Sequence, residues 1–585
     1  MTQQTTVVEE QSSVVADGMR IDWDVPIEMD DGIVLRADVF RPIEEGRYPV
    51  IMTHGPYGKG LPFQIGYAGM WKVLEDKYPE IMRGSTCKYQ NWETVDPEKW
   101  VPDGYVCVRV DSRGAGRSPG YLDVYSPRET QDFYNCIEWA GVQPWSNGKV
   151  GLLGISYYGV NQWQVAALHP PHLAAMCPFE GYQDFYREAN RHGGILNTFM
   201  PEWFPVQVMS VQYGNGSDRV NPNTGVPVVG GEQLSDEELA ANRSDLPGEL
   251  RRRELDDQWY RDRSAAIEKI EVPLLSASNW SHSLHTRGNF EGYRGVSSKE
   301  KWLEVHGLEH WAEFYTDYGV ALQKRFFGHF LKGEDTGWDE QPPVFLNLRN
   351  VDGSFVQRGE NEWPLARTQW TKLYLGGDGE SLAREPGAEG SVAFEALGDG
   401  LTFLTEPLAE PLEITGPCAL KLFISSTTED ADVFAVIRVL DPDGKDVTFV
   451  SAQDPKGVVT KGWLRASHRK LDPAKTLPYR PWHTHDEKQP LTPGERYELD
   501  VEIWPTSVLV PAGYRVGVTV LGKDFWWPGP GPWPQIYGID MRGDGIFHHN
   551  DPGDRPESVF GGRTTVYTGG DEPSYLLLPI IPEAR

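Results

Sequence analysis

From Met19 onward the chain alternates short apolar runs with polar ones. Residues 21–27 and 33–40 read as two strands joined by the turn Asp30-Asp31-Gly32. Residues 48–53, 105–110 and 149–155 follow as compact apolar runs with the length of buried strands. Between the last two, Phe133, Ile137 and Ala140 recur at helical spacing within 127–141, and a second helix over 160–168 leads to the apolar run 173–179. Strands that alternate with helices predict right-handed βαβ crossovers and a parallel sheet. The pattern stops near Arg187 and resumes with a strand at 272–276, a helix near 284–293, a strand at 302–306 and a helix at 315–331.

Residues 187–269 are aromatic, glycine-bearing and strongly charged, and they predict a helical cap inserted over the sheet. Within the arginine run there, Arg252 and Arg253 have i,i+4 partners in Asp256 and Asp257, the pattern of a solvated helix face rather than an anion site. After about Gln341 alternating runs recur without helices, at 419–425, 433–439, 497–503 and 514–520, punctuated by turns such as Asp441-Pro442-Asp443-Gly444. That pattern predicts a β-sandwich of jelly-roll type. The expected organisation is a disordered tail at 1–18, an α/β core at 19–186 and 270–342 split by the cap at 187–269, and the sandwich at 343–585.

Charge narrows the partners. With 55 basic and 85 acidic residues the net charge is −30, which repels phosphate backbones and argues against nucleic acid and anionic membrane. The five cysteines are scattered and show no C-x-x-C spacing, so neither a disulfide framework nor a zinc site is expected, and a reducing compartment fits. Residues 1–17 have no apolar leader core, and no run of 18 apolar residues occurs, so a soluble cytoplasmic protein is expected. No motif calls for a metal, nucleotide or flavin cofactor. A homo-oligomer is left open.

The chemistry centres on Gly154-Ile155-Ser156-Tyr157-Tyr158-Gly159, which lies between a predicted strand and a predicted helix. A serine hydroxyl needs a neighbouring base and a backbone bend that projects Oγ at a helix N-terminus, and small flanking residues permit the bend. In the common form G-x-S-x-G the second glycine comes one place earlier; here Tyr158 occupies that place. The base belongs on a loop after a later strand of the same sheet, and His310 in Gly307-Leu308-Glu309-His310-Trp311 fits. His306, inside the strand, reads as a core or supporting residue. The N–H of Tyr157 is one expected oxyanion donor; Pro56 cannot donate, which moves attention to the phenol of Tyr57 for the second.

These pieces, with His54-Gly55-Pro56-Tyr57, Asp111-Ser112-Arg113-Gly114-Ala115-Gly116-Arg117-Ser118 and Gln143-Pro144-Trp145-Ser146-Asn147-Gly148-Lys149-Val150, resemble the cocaine esterase, α-amino-acid ester hydrolase and X-prolyl dipeptidyl peptidase family of serine hydrolases. Gly462-Trp463-Leu464-Arg465-Ala466-Ser467-His468-Arg469 resembles its jelly-roll domain. The resemblance spans residues 19 to 530. It implies an α/β-hydrolase core with a helical cap, Ser156 as nucleophile, His310 as base and Tyr57 as oxyanion donor, and it makes the late glycine at 159 an expected feature.

The resemblance also implies an aspartate in a Trp-x-Asp turn, where this chain has Asn279-Trp280-Ser281-His282 and no Asp or Glu from 272 to 290. In an α/β-hydrolase the end of the preceding core strand approaches the same face of the histidine. Glu180 is therefore the expected acid, with Asp184 the second choice. Glu309 should point away from the ring, and a dyad held by a backbone carbonyl or His282 is the remaining option. Trp163, Trp203, Phe204, Trp280 and His282 are the expected walls of an apolar substrate pocket.

The leading expectation is hydrolysis of a carboxylic ester, or an amide, through an acyl-enzyme, on a small-molecule substrate with a bulky aromatic or alkyl group. The alternative is a peptidase or acylase that reads a free α-amino group, for which Asp184, Glu188 or Glu309 would supply the carboxylates. A third, from another class, is a non-catalytic binding protein on a degraded hydrolase fold.

Overall fold

The computed structural model describes residues 12–451, 454–529 and 541–582. Its α/β half is built on a sheet with the spatial order Met19–Glu28, Val34–Pro42, Val106–Asp111, Tyr48–Gly55, Ser146–Ile155, Leu173–Phe179, Leu274–Asn279 and Lys301–His306. The first two strands run antiparallel as a hairpin, and those from Val106–Asp111 to Lys301–His306 run parallel. The sheet is covered on both faces, so Val106–Asp111 and the second half of Ser146–Ile155 are buried at every position. The charged residues in the first are paired: Arg109 donates to the Tyr89 and Val95 carbonyls, and Asp111 accepts from the Lys59 and Arg117 N–H groups. The helix Pro127–Gly141 starts where the side chain of Ser126 accepts the Glu129 N–H at 3.2 Å, with Pro127 at the first helical position.

Three features depart from the sequence expectations. Of the tail expected at 1–18, Ser12–Ala16 forms an edge strand antiparallel to residues 19–23, while 1–11 lie outside the described residues. Val14 and Val15 stay exposed, so ladder hydrogen bonds and the 2.6 Å bond from Ser13 Oγ to Asp22 hold that strand, not burial. Second, the cap consists of short helical pieces, among them Phe199–Trp203 and Leu246–Arg252, and a two-residue hairpin, because Pro201, Pro205 and a run of glycines interrupt longer helices. Of its two expected i,i+4 pairs only Arg253–Asp257 forms, at 2.5 Å; Asp256 turns inward to Arg187 at 2.8 Å. Third, a helical excursion between Tyr48–Gly55 and Val106–Asp111, which the pattern left unassigned, includes Ala68–Lys77 and folds over the same end of the sheet.

In the C-terminal half the long strand Leu412–Ser426 pairs with Tyr497–Val510, Arg563–Thr568 and Tyr575–Ile581, and Asp432–Leu440 pairs with Thr460–Arg465 and Arg515–Leu521. Their inward Leu, Ile and Val side chains form a core separate from that of the α/β half. The expected boundary at 342 falls at a junction: Val344–Asn350 extends the parallel sheet beside Lys301–His306, and its end pairs with Val508 and Leu509 of the sandwich. All five cysteines are free and buried. Among the described residues no helix is long and apolar enough to cross a membrane.

Candidate active site

Ser156 ends the strand Ser146–Ile155 and immediately precedes the helix Tyr157–Ala166, with φ +56° and ψ −114°. A non-glycine residue at positive φ is strained and persists only where its surroundings over-determine it. They do so here: the Ser156 N–H donates to the carbonyls of Phe179 (3.0 Å) and Glu180 (3.2 Å), and the Ser156 carbonyl accepts from Gly159 and Val160. A Cβ on Gly154 would lie 2.4 Å from Cβ of Tyr158, and one on Gly159 would lie 2.9 Å from the Phe179 carbonyl oxygen. The late glycine thus lets the first turn of the helix press on the neighbouring strand.

The carboxylate of Glu180, one residue past Leu173–Phe179, is fully buried. Its Oε2 lies 2.8 Å from His310 Nδ1, and its Oε1 lies 2.9 Å from His306 Nε2. Register explains the meeting. Ile155, Phe179 and Ala277 stand side by side, as do Asn279 and His306, so the next residues of adjacent parallel strands converge at one sheet edge. Asn279, which precedes the turn where His282 stands in the aspartate's place, donates to Glu180 Oε1 at 3.4 Å and to the Leu308 carbonyl at 2.7 Å. His306 is clamped between Glu180 and Glu304, at 2.8 Å on its other side.

Two residues that the sequence reading missed complete the centre. Glu93, from the excursion after Tyr48–Gly55, brings Oε1 to 3.1 Å from His310 Nε2. His285, three residues after His282 and just before the helix Thr286–Gly295, places Nε2 3.0 Å from Ser156 Oγ. The His285 and His310 rings stack at 5.5 Å between centroids. Glu93 and Glu180 also have positive φ, +61° and +45°, so three strained residues cluster here. The His282–His285 spacing was the available signal for His285; nothing in the local sequence marks Glu93.

Burial and neighbouring charge set the protonation states. Burial disfavours a charge on His310, but the Glu180 carboxylate outweighs it and the pKa rises to about 9. Burial raises Glu93 to about 7, against the pull of His310. Glu180 is opposed by burial yet held below the usual range by the His310 and His306 rings. Burial, followed by the nearby His310, pushes His285 well below the ordinary histidine range.

The cleft over Ser156 holds only about 20 Å³, roughly the room of one ordered water. Tyr57 lines it, its phenol oxygen accepting from Trp203 Nε1 at 3.1 Å, as do Trp203 and His282. Trp163, Phe204 and Trp280 do not: Trp163 donates to the Gly181 carbonyl under the helix, Phe204 packs in the core, and Trp280 donates to the Asn347 carbonyl beside Trp363. Their places are taken by Trp92, Tyr125, Phe199 and Phe547, the last from the C-terminal half. Tyr157 is the first residue of its helix, so its N–H has no acceptor within the helix; its phenol is tied to Glu129 at 2.5 Å. Asp184 caps the segment Phe185–Asn190 and pairs with Arg187, away from His310. Glu309 turns to Lys77 and Tyr78, and Glu188 to Arg287.

A strained serine on a strand-to-helix turn, at the edge of an α/β-hydrolase sheet and beside a buried histidine–carboxylate pair, defines a serine hydrolase. Residues 31–312 match the model of the X-Pro dipeptidyl-peptidase (S15) family, and residues 336–577 match that of the X-Pro dipeptidyl-peptidase C-terminal non-catalytic domain. The crystal structure of a CocE/NonD family hydrolase from Staphylococcus aureus is 31% identical, with a TM-score of 0.83 over 98% of this chain and 97% of that one. The cocaine esterase of a Rhodococcus species is 24% identical over 635 residues, covering 95% of this chain and 98% of that protein. An α-amino-acid ester hydrolase shares the fold, with a TM-score of 0.68 at 18% identity over 99% of this chain and all of that one. The chain belongs to the CocE/NonD family of serine hydrolases.

Proposed function

We propose that the protein hydrolyses carboxylic esters through an acyl-enzyme, with Ser156 as nucleophile, His310 as general base and Glu180 as the acid behind it. The observation that carries this reading is the 2.8 Å contact between Glu180 Oε2 and His310 Nδ1, fully buried at the sheet edge that bears Ser156. With Nδ1–H given to the carboxylate, His310 presents its Nε2 lone pair once the imidazole is neutral, and that nitrogen takes the serine proton and returns it to the leaving alcohol. Tyr57 and the Tyr157 N–H would stabilise the oxyanion. Five buried free cysteines fit action in the reducing cytoplasm.

The aromatic walls Trp92, Tyr125, Phe199, Trp203 and Phe547 suit an uncharged alkyl or aryl acyl group. In the peptidase reading Asp184, Glu188 and Glu309 would hold an α-ammonium group, but they are bound to Arg187, Arg287 and Lys77, which leaves that part to Glu93 in the cleft. Turnover of p-nitrophenyl esters against Xaa-Pro-p-nitroanilides tests the choice: ester turnover should exceed amide turnover, and the reverse order would replace the esterase by a peptidase. Fluorophosphonate labelling should vanish in Ser156→Ala; no labelling of the native protein would point to a non-catalytic role.

A further inference from the structure

His282, His285 and His310 each bring one ring nitrogen within 4.8 Å of the others, close enough to suggest a metal site. The bonds on the far side of two of these rings argue otherwise. His285 Nδ1 accepts the backbone N–H of Tyr182 at 3.0 Å, and His282 Nδ1 accepts that of Leu284 at 3.1 Å. A neutral imidazole carries one proton, so a ring whose Nδ1 accepts must carry it on Nε2. Both rings therefore present Nε2–H, a donor and not a metal lone pair.

The donor state of His285 is held firmly. The Tyr182 ring stacks on it at 5.4 Å, and the preceding Gly181 N–H is pinned to Asn289 Oδ1 at 2.9 Å. A second ring proton would point straight at the Tyr182 N–H. The contact between His285 Nε2 and Ser156 Oγ is then a hydrogen bond in which the serine oxygen accepts.

We infer that His285 is a catalytic hydrogen-bond donor fixed in its Nε2–H form, which holds Ser156 Oγ so that the hydroxyl proton goes to another base. The inference rests on the reading of His310 as that base. As Oγ attacks the ester carbon, the O–H bond breaks and its proton passes to His310 Nε2, the Oγ–C bond forms, and the carbonyl π pair moves onto the carbonyl oxygen, which Tyr57 and the Tyr157 N–H hold as the oxyanion. His285 exchanges no proton; its N–H stabilises charge that builds on Oγ before the new bond is complete.

The test compares pH profiles of kcat/KM for the native enzyme, His285→Phe, His285→Gln and His310→Gln on one p-nitrophenyl ester. His285→Phe should lose roughly 10²–10³-fold, as when a single charge-stabilising donor is removed, and His285→Gln, whose amide can still donate, should recover at least ~10-fold of that. Both should keep the native pH midpoint. If His285→Gln falls as low as His310→Gln, or if either His285 variant abolishes the pH dependence, His285 is the base and the inference is overturned. Native rates in both His285 variants overturn it too. Full activity in His310→Gln would instead sink the assignment of the base. Should His285→Phe fail to fold, the glutamine variant alone decides, because a base replaced by an amide loses the full effect and a donor does not.

Discussion

Glu180 and His310 meet at 2.8 Å inside the protein although 130 residues separate them in the chain. The carboxylate leaves one strand end and the imidazole sits on the loop after another, with Asn279 between them on the intervening strand. In Glu180→Gln an amide faces Nδ1 and no longer stabilises the imidazolium formed during attack. The expected loss in kcat is about 10²–10⁴-fold, with the fold retained by circular dichroism. Adding Asn279→Asp to that variant returns a carboxylate to the adjacent strand end and should recover at least ~10-fold; the doubly substituted enzyme staying at the Glu180→Gln rate would mean that position 279 cannot reach the histidine.

Glu93 competes for the catalytic nitrogen. With Oε1 3.1 Å from His310 Nε2 and the His310 pKa raised to about 9, the imidazole is protonated at neutral pH, and only its neutral form accepts the serine proton. Activity should therefore rise with pH through a midpoint of about 9. Glu93→Gln removes an anion that favours the imidazolium, so the midpoint moves to lower pH and the rate near pH 7 increases. A profile unchanged in Glu93→Gln would show that the carboxylate does not govern the base.

Phe547 closes a cleft of about 20 Å³ from the side of the C-terminal half. Phe547→Ala should open the pocket to longer acyl chains, raising kcat/KM for octanoyl relative to acetyl esters several-fold. The gain comes with a loss of about 3–5 kcal/mol of stability, the usual cost of deleting a buried phenylalanine, which a lowered Tm would register. An unaltered chain-length preference would place the acyl pocket elsewhere.

Much of this arrangement was legible in the chain. The alternation of apolar runs marks the parallel sheet, and the Gly154–Gly159 segment marks the elbow, because both follow from local sterics. The proximity of Glu180 to His310 could be read from topology, since adjacent parallel strands bring their ends together. Glu93 and Phe547 could not be read: each reaches the cleft on a segment whose path depends on long-range packing, and neither has a periodic neighbour that betrays its direction. Trp163 and Trp280 misled for a related reason. Large aromatic residues near a serine turn serve the core as readily as a pocket, and here their indole N–H groups found the carbonyls of Gly181 and Asn347. His285 was visible as a histidine, but its role depends on a backbone N–H from Tyr182 that sequence does not reveal.

The strand Val344–Asn350 is stitched to Lys301–His306 and, further along the same edge, to Tyr497–Val510, with Phe355–Glu360 on its other edge. During synthesis on the ribosome Ser156, Glu180 and His310 emerge well before Tyr497–Val510, which braces this strand, and before the Phe547 ring that walls the cleft. A nascent chain consequently carries its nucleophile in an unfinished pocket, and the pocket closes only after Phe547 has been made.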